Sequence, residues 1–220
     1  MDWLSVAAAA DAGGTIPQDY IAYWSFDTDA SDATGNYSAT ATNNTPTFVS
    51  SGGVGNRGYV SCDSNPSWDS FTIPSLNRAT GDPLTIALWV NYNGFSLSQY
   101  IFGDRASTHR AFFVNSAGTL YFSTSQPPGS DTTTSFGIAA YPTGWHHYIF
   151  VLDDGTNGAT YVDGELATGG VSIAYYSQSF DLLLKHYGNI GFRGFADEIY
   201  VWDRILSSNE VNNIYNAEQP

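Results

Sequence analysis

Short β-type segments recur along nearly the whole chain, and their spacing leaves few folds open. Runs rich in Val, Ile, Tyr, Phe, Trp and Thr return roughly every 8–15 residues, separated by clusters of Gly, Pro, Asn and Asp. The clearest runs are Tyr20–Phe26, Arg57–Cys62, Leu84–Tyr92, Gln99–Gly103, Ala111–Asn115, Thr119–Ser123, Trp145–Leu152, Ala159–Val162, Phe180–Leu184 and Glu198–Trp202. This pattern predicts an all-β protein, either a sandwich of two antiparallel sheets or a barrel.

Turn and helix signals fit that architecture. The dipeptides that predict tight hairpin turns are Asp154-Gly155, Asn157-Gly158 and Asp163-Gly164. A helix is indicated once, where Ser207 and Glu210 form a capping box, and Leu206 with Val211 would form a hydrophobic staple. We therefore expect one short helix over about 208–215.

Two of the runs carry apolar side chains on both faces. In Leu84–Tyr92, alternation places Trp89 on one face and the residues Ile86, Leu88 and Val90 on the other. Trp145–Leu152 shows the same pattern. Such strands are central ones, and we expect their outer face to be covered by a loop or to carry a ligand groove.

Charge and cysteine content exclude several classes of protein. The chain has 21 acidic and 7 basic residues, a net charge of −14. Nucleic acids and anionic membranes repel such a field, so we expect no nucleic-acid partner. No stretch approaches the 18 or so apolar residues of a spanning helix, so we expect no membrane insertion. Cys62 is the one cysteine, which excludes an intramolecular disulfide and a cysteine zinc cluster.

The first residues differ in composition from the rest. Asp2 is acidic and the first arginine is Arg57, which is unlike a secretory signal. We interpret residues 1–19 as an N-terminal arm, either flexible or anchored to a partner, and 20–220 as a single domain. The single cysteine and the lack of a signal predict a chain that folds in a reducing cytosol and acts outside it.

Four segments of this sequence together resemble a known family. They are Tyr23-Trp24-Ser25-Phe26-Asp27 with Asp32-Ala33-Thr34-Gly35-Asn36, Leu84–Val90, Trp145-His146-His147-Tyr148 with Tyr161-Val162-Asp163-Gly164-Glu165, and Gly191–Ser207 with Glu210. In this order they resemble the laminin-G-like, or concanavalin A-like lectin/glucanase, family. The resemblance covers about 20–217 and implies a two-sheet antiparallel jelly-roll sandwich with one short C-terminal helix. This fold hosts lectins, adhesion modules and glycosidases, so it implies no single activity.

Asp197 is the charged residue with the sharpest prediction. Strict alternation places it in phase with Ile199 on an apolar face, where an unpaired carboxylate is costly. The family resemblance implies a structural calcium held by Asp197 and backbone carbonyls of the opening segment, and Asp27 and Asp32 are candidates for further ligands. The alternative is that Asp197 accepts backbone N–H bonds without a metal, and that Asp27 and Asp32 belong to a solvated turn.

Other titratable residues predict structural roles. His146 and His147 are adjacent on a strand, so their rings point to opposite faces and cannot easily share one metal ion. We expect a packed histidine beside Trp145. Arg193 and Glu198 are near enough in sequence for an ion pair.

The acidic residues give no sign of a hydrolase. Glycoside hydrolysis needs two carboxylates flanking the scissile bond. The glucanases of the family carry Glu-x-Asp-x-x-Glu on one strand, whereas the glutamates of this chain lie outside any such motif; they are Glu165, Glu198, Glu210 and Glu218. We therefore expect no enzymatic activity, and keep an atypical glycoside hydrolase as an alternative.

Sugar binding needs aromatic rings beside hydrogen-bonding groups. The aromatic residues that lie among polar and turn-forming neighbours are Trp68, Tyr100, Tyr175 and Tyr176. The alternative for each is packing over a sheet edge or at a subunit interface. The sequence as a whole predicts a non-enzymatic, surface-displayed binding or structural module. We expect a virion protein with a lectin-like domain, a capsid decoration or attachment protein that binds a glycan, a host surface or a capsid protein. The alternative is an extracellular calcium-dependent carbohydrate-binding or adhesion module, and either could form a homo-oligomer.

Overall fold

The structure is a computed structural model. The residues that it describes are 15–43, 45–62, 69–79, 81–94, 99–103, 110–115, 117–124, 134–139, 143–153, 157–172, 178–184 and 192–220.

Strands make up most of the described chain. They are β1 (Ala22–Trp24), β2 (Thr40–Asn43), β3 (Thr47–Val49), β4 (Tyr59–Ser61), β5 (Asp69–Arg78), β6 (Leu84–Tyr92), β7 (Gln99–Gly103), β8 (Arg110–Val114), β9 (Thr119–Thr124), β10 (Thr134–Ala139), β11 (His146–Leu152), β12 (Asn157–Val162), β13 (Glu165–Ser172), β14 (Gln178–Leu183) and β15 (Gly194–Trp202). A single 3-10 turn covers Val54–Asn56, and the α-helix α1 covers Ser208–Ala217.

The strands form two antiparallel sheets. In the first, eight described strands include the path β13-β12-β11-β6-β15-β4-β3, and β1 pairs with β15. In the second, the order of seven described strands is β10-β9-β8-β7-β14-β5-β2. We refer to them as the eight-stranded and the seven-stranded sheet. Their order places β6, β11 and β15 in the middle of the eight-stranded sheet, as the two-faced apolar patterns of β6 and β11 predicted.

The main core lies between the two sheets. Alternate residues of the central strands point into it, among them Leu84, Ile86, Leu88 and Val90 of β6 and Tyr148, Phe150 and Leu152 of β11. The seven-stranded sheet contributes Phe71, Ile101, Phe102, Leu120, Phe180 and Leu183. Burial of these side chains is the main favourable contribution to the stability of the sandwich.

A second apolar cluster lies on the outer face of the eight-stranded sheet, and we call it the outer cluster. Its members from the sheet include Ala87, Ile149, Val151, Tyr200 and Trp202, and Val211 and Ile214 of α1 pack against them. Ile16 and Tyr20 add to the same cluster from the other end of the chain. The outer face of the central strands is therefore covered by α1 and by residues 15–20. Of the two predicted alternatives, a cover or a ligand groove, this part of the face has a cover.

The beginning of α1 follows its sequence signals. Glu210 N–H donates to the Ser207 hydroxyl while the Glu210 carboxylate accepts from Ser207 N–H, which completes the predicted capping box. Leu206 and Val211 are both buried in the outer cluster. The helix runs to Ala217, two residues beyond the predicted range.

The turn predictions have mixed outcomes. Asp163 and Gly164 form the tight turn between β12 and β13, and both have positive φ, 49° and 81°. The predicted turn at Asn157-Gly158 is wrong because both residues belong to β12 and pair with β13. The Asn157 N–H donates to Asp153 Oδ1 at 2.8 Å. This bond joins the two ends of the β11–β12 connection, so that connection precedes Asn157. Residues 154 and 155 lie outside the described residues.

Residues 15–19 contact the body of the domain. The Trp202 indole N–H donates to the Pro17 carbonyl at 3.2 Å, and Arg204 forms an ion pair with Asp19 at 2.7 Å. Residues 1–14 of the predicted arm lie outside the described residues. Within the described chain, no helix has both the length and the apolar character needed to cross a bilayer.

Candidate functional site

Asp197 lies on β15 and is 0% exposed. Its predicted burial is confirmed, but the predicted phase with Ile199 is wrong because β15 contains a bulge. Asp197 pairs with Trp89 and Tyr200 pairs with Ala87, so two residues of β15 stand opposite one residue of β6. The bulge turns the Asp197 carboxylate toward the loop before β4.

Burial makes the ionised form of Asp197 unfavourable. Its Oδ2 accepts from the Val54 N–H at 2.8 Å and its Oδ1 from the Glu198 N–H at 3.0 Å. Burial raises the pKa of Asp197 to about 9, and the charges of Glu198 and Asp27 also raise it, whereas the Val54 hydrogen bond lowers it. A carboxylate here at neutral pH needs a cation or more donors than these two N–H groups.

Two glycines allow close packing of the main chain in the loop beside Asp197. A Cβ on Gly53 would lie 2.6 Å from Asp197 Oδ2 and would also collide with the Gly58 carbonyl oxygen. A Cβ on Gly58 would lie 2.6 Å from the Asp27 Cα and would collide with the Asp27 carbonyl oxygen. Only glycine allows so close an approach, so one carboxylate and two carbonyl groups surround this loop. Oxygen donors of this kind are those that calcium prefers.

Asp32 has a different role from the one its position near Asp27 suggested. Its Oδ1 accepts from the N–H groups of Tyr23 at 2.8 Å and Thr34 at 3.2 Å. Its Oδ2 accepts from the N–H groups of Asn36 at 3.0 Å and Tyr37 at 2.9 Å, and from the Thr34 hydroxyl. Burial acts to raise the pKa of Asp32, but these bonds outweigh it and hold that pKa below its usual value. Asp32 thus organises the loop that follows β1.

The three predicted ligands do not form a carboxylate cluster. Over the described ranges, no three His, Cys, Asp or Glu side chains lie close enough to hold one metal ion. Asp27 Oδ1 accepts from the Gly58 N–H at 2.8 Å and belongs to the loop beside Asp197. A metal at Asp197 would therefore depend mainly on carbonyl oxygens.

Glu198, the residue after Asp197, is buried together with a second glutamate. We predicted an ion pair between Arg193 and Glu198, but the guanidinium that contacts Glu198 is that of Arg57. The hydroxyl groups of Tyr23 and Tyr200 lie 2.6 Å and 3.0 Å from Glu198 Oε2.

Glu218 completes this network from the end of α1. The Tyr200 hydroxyl lies 2.7 Å from Glu218 Oε1, and the Trp89 indole N–H donates to Glu218 Oε2 at 3.1 Å. Burial raises the pKa of Glu218 to about 8, and the charge of Glu198 adds to this effect. Burial also raises the pKa of Glu198, although Tyr23 and Arg57 act against it. Glu198 and Glu218 are 0% and 2% exposed, so no glycosidic bond can reach between them.

The histidine pair is structural. His147 is buried, its ring stacks on Trp89 with centroids 4.9 Å apart, and burial lowers its pKa to about 3. A packed histidine was predicted, but its partner is Trp89 and not Trp145. His146 Nδ1 lies 2.8 Å from Asp163 Oδ2, at the turn between β12 and β13.

Three half-buried rings form a cluster that the sequence did not single out, and we call it the aromatic triad. The ring centroid of Tyr59 lies 5.6 Å from that of Trp145 and 5.2 Å from that of Phe195. Tyr59 and Phe195 alternate with the core residues Val60 and Ala196, so they point to the outer face of the eight-stranded sheet. That alternation was the available sequence signal.

Polar groups flank the aromatic triad. Ser61 and Asn91 pair directly with Phe195 from the two neighbouring strands and so share its face. The Trp145 indole N–H donates to the Gly52 carbonyl at 3.3 Å, which fixes the ring orientation. None of the triad rings belongs to the outer cluster beneath α1.

The aromatic residues predicted from sequence fall elsewhere. Trp68, Tyr175 and Tyr176 lie outside the described residues. Tyr100 belongs to β7, where its backbone pairs with Phe113, and its side chain lies outside what the structure describes. Their predicted sugar-binding role stays a prediction.

A comparison with protein families identifies the chain. The sequence profile of the concanavalin A-like lectin/glucanases superfamily (Laminin_G_3) matches residues 65–212, well over half of the chain. The chain therefore belongs to this superfamily. The two antiparallel sheets and the single C-terminal helix of the described chain agree with its jelly-roll sandwich, so the predicted fold class is confirmed.

Solved structures with similar folds include binding domains and a glycosidase. Domain 4 of AbnA, an extracellular arabinanase from Geobacillus stearothermophilus solved with arabinotriose, has a TM-score of 0.66 and 16% identity, over 90% of this chain and 98% of that one. The binding domain of Paraclostridial Mosquitocidal Protein 1 has a TM-score of 0.70 and 14% identity, over 90% of this chain and 52% of that one. Trypanosoma rangeli sialidase with the inhibitor DANA has a TM-score of 0.67 and 13% identity, over 97% of this chain and 36% of that one.

The chain matches only part of two of these structures, and all three identities are low. The chain spans only about half of the mosquitocidal binding domain and about a third of the sialidase. At such identities the likeness establishes the fold and not the activity. No curated protein sequence matches the chain.

Proposed function

We propose that this chain is a non-enzymatic glycan-binding module whose sugar-contacting surface is the aromatic triad. The observation that carries the proposal is the half-buried cluster of Tyr59, Trp145 and Phe195, on a part of the sheet face that lies outside the outer cluster of the described chain. Aromatic faces pack against the C–H faces of sugars, and the flanking Ser61 and Asn91 provide partners for hydroxyl groups. The arabinotriose complex of a domain with the same fold supports the ligand class.

The carboxylate positions support the non-enzymatic part. Glu198 and Glu218 both contact the Tyr200 hydroxyl in the interior, and Glu210 is used in the helix cap. Glu165 lies exposed at the start of β13. An atypical glycoside hydrolase would need a different pair of accessible carboxylates at the spacing that hydrolysis requires.

The test is binding of the purified protein to an oligosaccharide array that includes arabinotriose. We expect Trp145→Ala to abolish the signal and Tyr37→Ala, another half-buried aromatic packed away from the triad, to retain it. Unchanged binding by Trp145→Ala would refute the assignment of the site. Loss of binding on Trp68→Ala alone would place the site at the loops predicted from sequence.

A structural calcium beside Asp197 is the second part of the proposal. Asp197 would be the carboxylate ligand, and the carbonyl groups of Asp27 and Gly58 would complete part of the oxygen set. When bound, the cation neutralises a buried carboxylate and ties the loop before β4 to β15. The support is the shortage of donors around Asp197 and the close packing that Gly53 and Gly58 allow.

Chelation tests the calcium proposal. We expect EDTA to lower the Tm of the wild type and Asp197→Asn to remove this sensitivity. Asp32→Asn is the matched control, because it disturbs a loop without changing the proposed site, so its Tm should still respond to EDTA. A wild-type Tm that does not change with EDTA or added calcium would contradict the proposal.

Display on a virion is a finer proposal, and its support is the composition of the sequence. A single cysteine and a net charge of −14 suit a chain that folds in a reducing cytosol and then acts outside the cell. The alternative is an extracellular adhesion module. Detection of the chain in purified particles, with loss after deletion of residues 1–14, would support virion display. A chain found only free in the medium would support the alternative.

A further inference from the structure

The hydrogen bonds of Tyr200 require an extra proton in the interior. Its hydroxyl lies within hydrogen-bond distance of two carboxyl groups, Glu198 at 3.0 Å and Glu218 at 2.7 Å. A tyrosine hydroxyl has one proton and can donate to only one of them. The second short contact is a hydrogen bond only if that carboxyl carries a proton and donates to the Tyr200 oxygen. One of the two glutamates is therefore neutral in this arrangement.

The surroundings place the proton on Glu218. Glu198 faces the Arg57 guanidinium and also accepts from Tyr23, and both contacts favour its ionised form. Among the described residues, Glu218 accepts only the Trp89 indole N–H besides its contact with Tyr200. It also follows the last turn of α1, where its N–H donates to the Tyr215 carbonyl at 3.3 Å, and a negative charge is unfavourable at a helix C-terminus.

We propose that Glu218 is a proton-dependent lock that holds the end of α1 on the eight-stranded sheet, closed while its carboxyl group is neutral and opened when that group ionises. In the closed form the carboxyl proton is donated to the Tyr200 oxygen, and the Tyr200 proton to Glu198. Loss of the Glu218 proton leaves two carboxylates with one phenol proton between them. Two buried carboxylates that contact the same hydroxyl group repel each other strongly. Water can solvate the Glu218 carboxylate only if the Glu218 side chain leaves the sheet.

The charged and titratable groups around Glu218 come from every element packed there. They are Glu198 and Tyr200 of β15, Tyr23 of β1, Arg57 from the loop before β4, His147 of β11 and Tyr215 of α1. Burial raises the pKa of both Tyr23 and Tyr200 above 10, and it lowers that of His147. None of these three therefore changes charge between pH 7 and 9. Arg57 and Tyr23 favour the ionised form of Glu198. Asp197, whose pKa burial raises to about 9, faces Val54 in the loop before β4, so a substitution at Glu218 separates its titration from that of Asp197.

The sign of the pH effect follows from the direction of the shift. Burial raises the pKa of Glu218 in the folded chain to about 8, against an ordinary value near 4.5. At Glu218, the folded chain therefore binds one more proton than the unfolded chain between about pH 4.5 and pH 8. As the pH rises through this window, the titration of Glu218 increases the equilibrium constant for unfolding by up to about tenfold per pH unit. Above the folded pKa, the stability that the Glu218 proton contributes is fully lost.

The protonation state can be observed directly, because the chain has only four glutamates. In protein labelled with ¹³C at the glutamate carboxyl carbon, each of the four Glu→Gln variants assigns one resonance. We expect the Glu218 resonance to lie at the neutral position at pH 6 and to titrate above pH 7. The variants of the other three glutamates also assign the Glu218 resonance by elimination, so the test does not require a Glu218 variant that folds. A resonance at the ionised position at pH 6 would overturn the proposal.

Glu218→Gln tests the lock itself. The Gln amide N–H₂ can donate to Tyr200 and its oxygen can accept from Trp89, so the contacts are kept and the titration is lost. We expect the opening constant of the last turn of α1, measured by amide hydrogen exchange, to rise about tenfold more in the wild type than in Glu218→Gln between pH 7 and pH 9. Glu165→Gln, a change at an exposed glutamate, should behave as the wild type does. Equal ratios of the wild-type to the Glu218→Gln opening constant at both pH values would refute the lock.

Discussion

Asp32 provides the most direct test of how the loop that follows β1 is held in place. Its two carboxylate oxygens accept four backbone N–H groups, those of Tyr23, Thr34, Asn36 and Tyr37, and the side chain is 4% exposed. Asp32→Ala removes the acceptor for all four. At about 1 kcal/mol net for each backbone hydrogen bond, we expect a loss of about 4 kcal/mol in the free energy of unfolding.

Asp32→Asn refines this expectation. The amide keeps one oxygen and replaces the other by an N–H₂ group, so two of the four N–H groups lose their acceptor. We expect a loss of about 2 kcal/mol. The matched control is Asp29→Asn. Asp29 is exposed and accepts from the N–H group and the side chain of Ser31, so this substitution should cost within about 0.5 kcal/mol.

Urea unfolding followed by tryptophan fluorescence measures these losses. Because hydrogen bonds hold the pKa of Asp32 below its usual value, its contribution is present above the unfolded pKa of about 3.9 and is lost as the pH falls through the folded pKa. The difference between wild type and Asp32→Asn should therefore shrink in acid. The loop-organising role of Asp32 is wrong if Asp32→Asn lowers the free energy of unfolding no more than Asp29→Asn does. It is also wrong if the larger loss in Asp32→Asn is seen only when calcium is present.

Three further substitutions probe other parts of the domain. Gly58→Ala places a Cβ against the Asp27 backbone and should cost more than about 2 kcal/mol, measured by urea unfolding. Ser207→Ala removes the cap of α1 and should cost about 1 kcal/mol in the same assay. Since burial lowers the pKa of His147 to about 3, stability should fall by up to about 1.4 kcal/mol per pH unit as the pH drops from about 6.5 to 3. His147→Phe should stack on Trp89 and abolish this fall, and an unchanged acid slope in that variant would contradict the assignment.

The sequence predicts those elements whose signals are local. The alternation in β6 and the capping box before α1 place both elements within two residues of their observed bounds. Five strands were not among the predicted runs, and they are β2, β3, β5, β10 and β13. They contain Pro74 in β5, adjacent glycines in β13 and mostly polar residues in β2, so pairing with neighbouring strands determines their conformation.

The candidate site shows the same limit. The burial of Asp197 could be predicted, but not the bulge that turns it, because a bulge depends on the register with β6. Glu218 was weighed only as a hydrolase carboxylate and Glu198 also as a partner of Arg193, since the contact through Tyr200 joins residues that are separate in sequence. The aromatic triad likewise comes from three distant segments that meet only in the folded sheet.

The cover on the outer face also orders the events of folding. The bonds from Trp202 to Pro17 and from Arg204 to Asp19 each join residues 185 positions apart. Residues 15–20 are synthesised early, yet the surface on which they pack is complete only when β15 and α1 have emerged. Closing so long a loop is entropically costly and slow, so this cover is among the last parts to form. Until then, the outer faces of β6 and β11 remain exposed to solvent and to other chains.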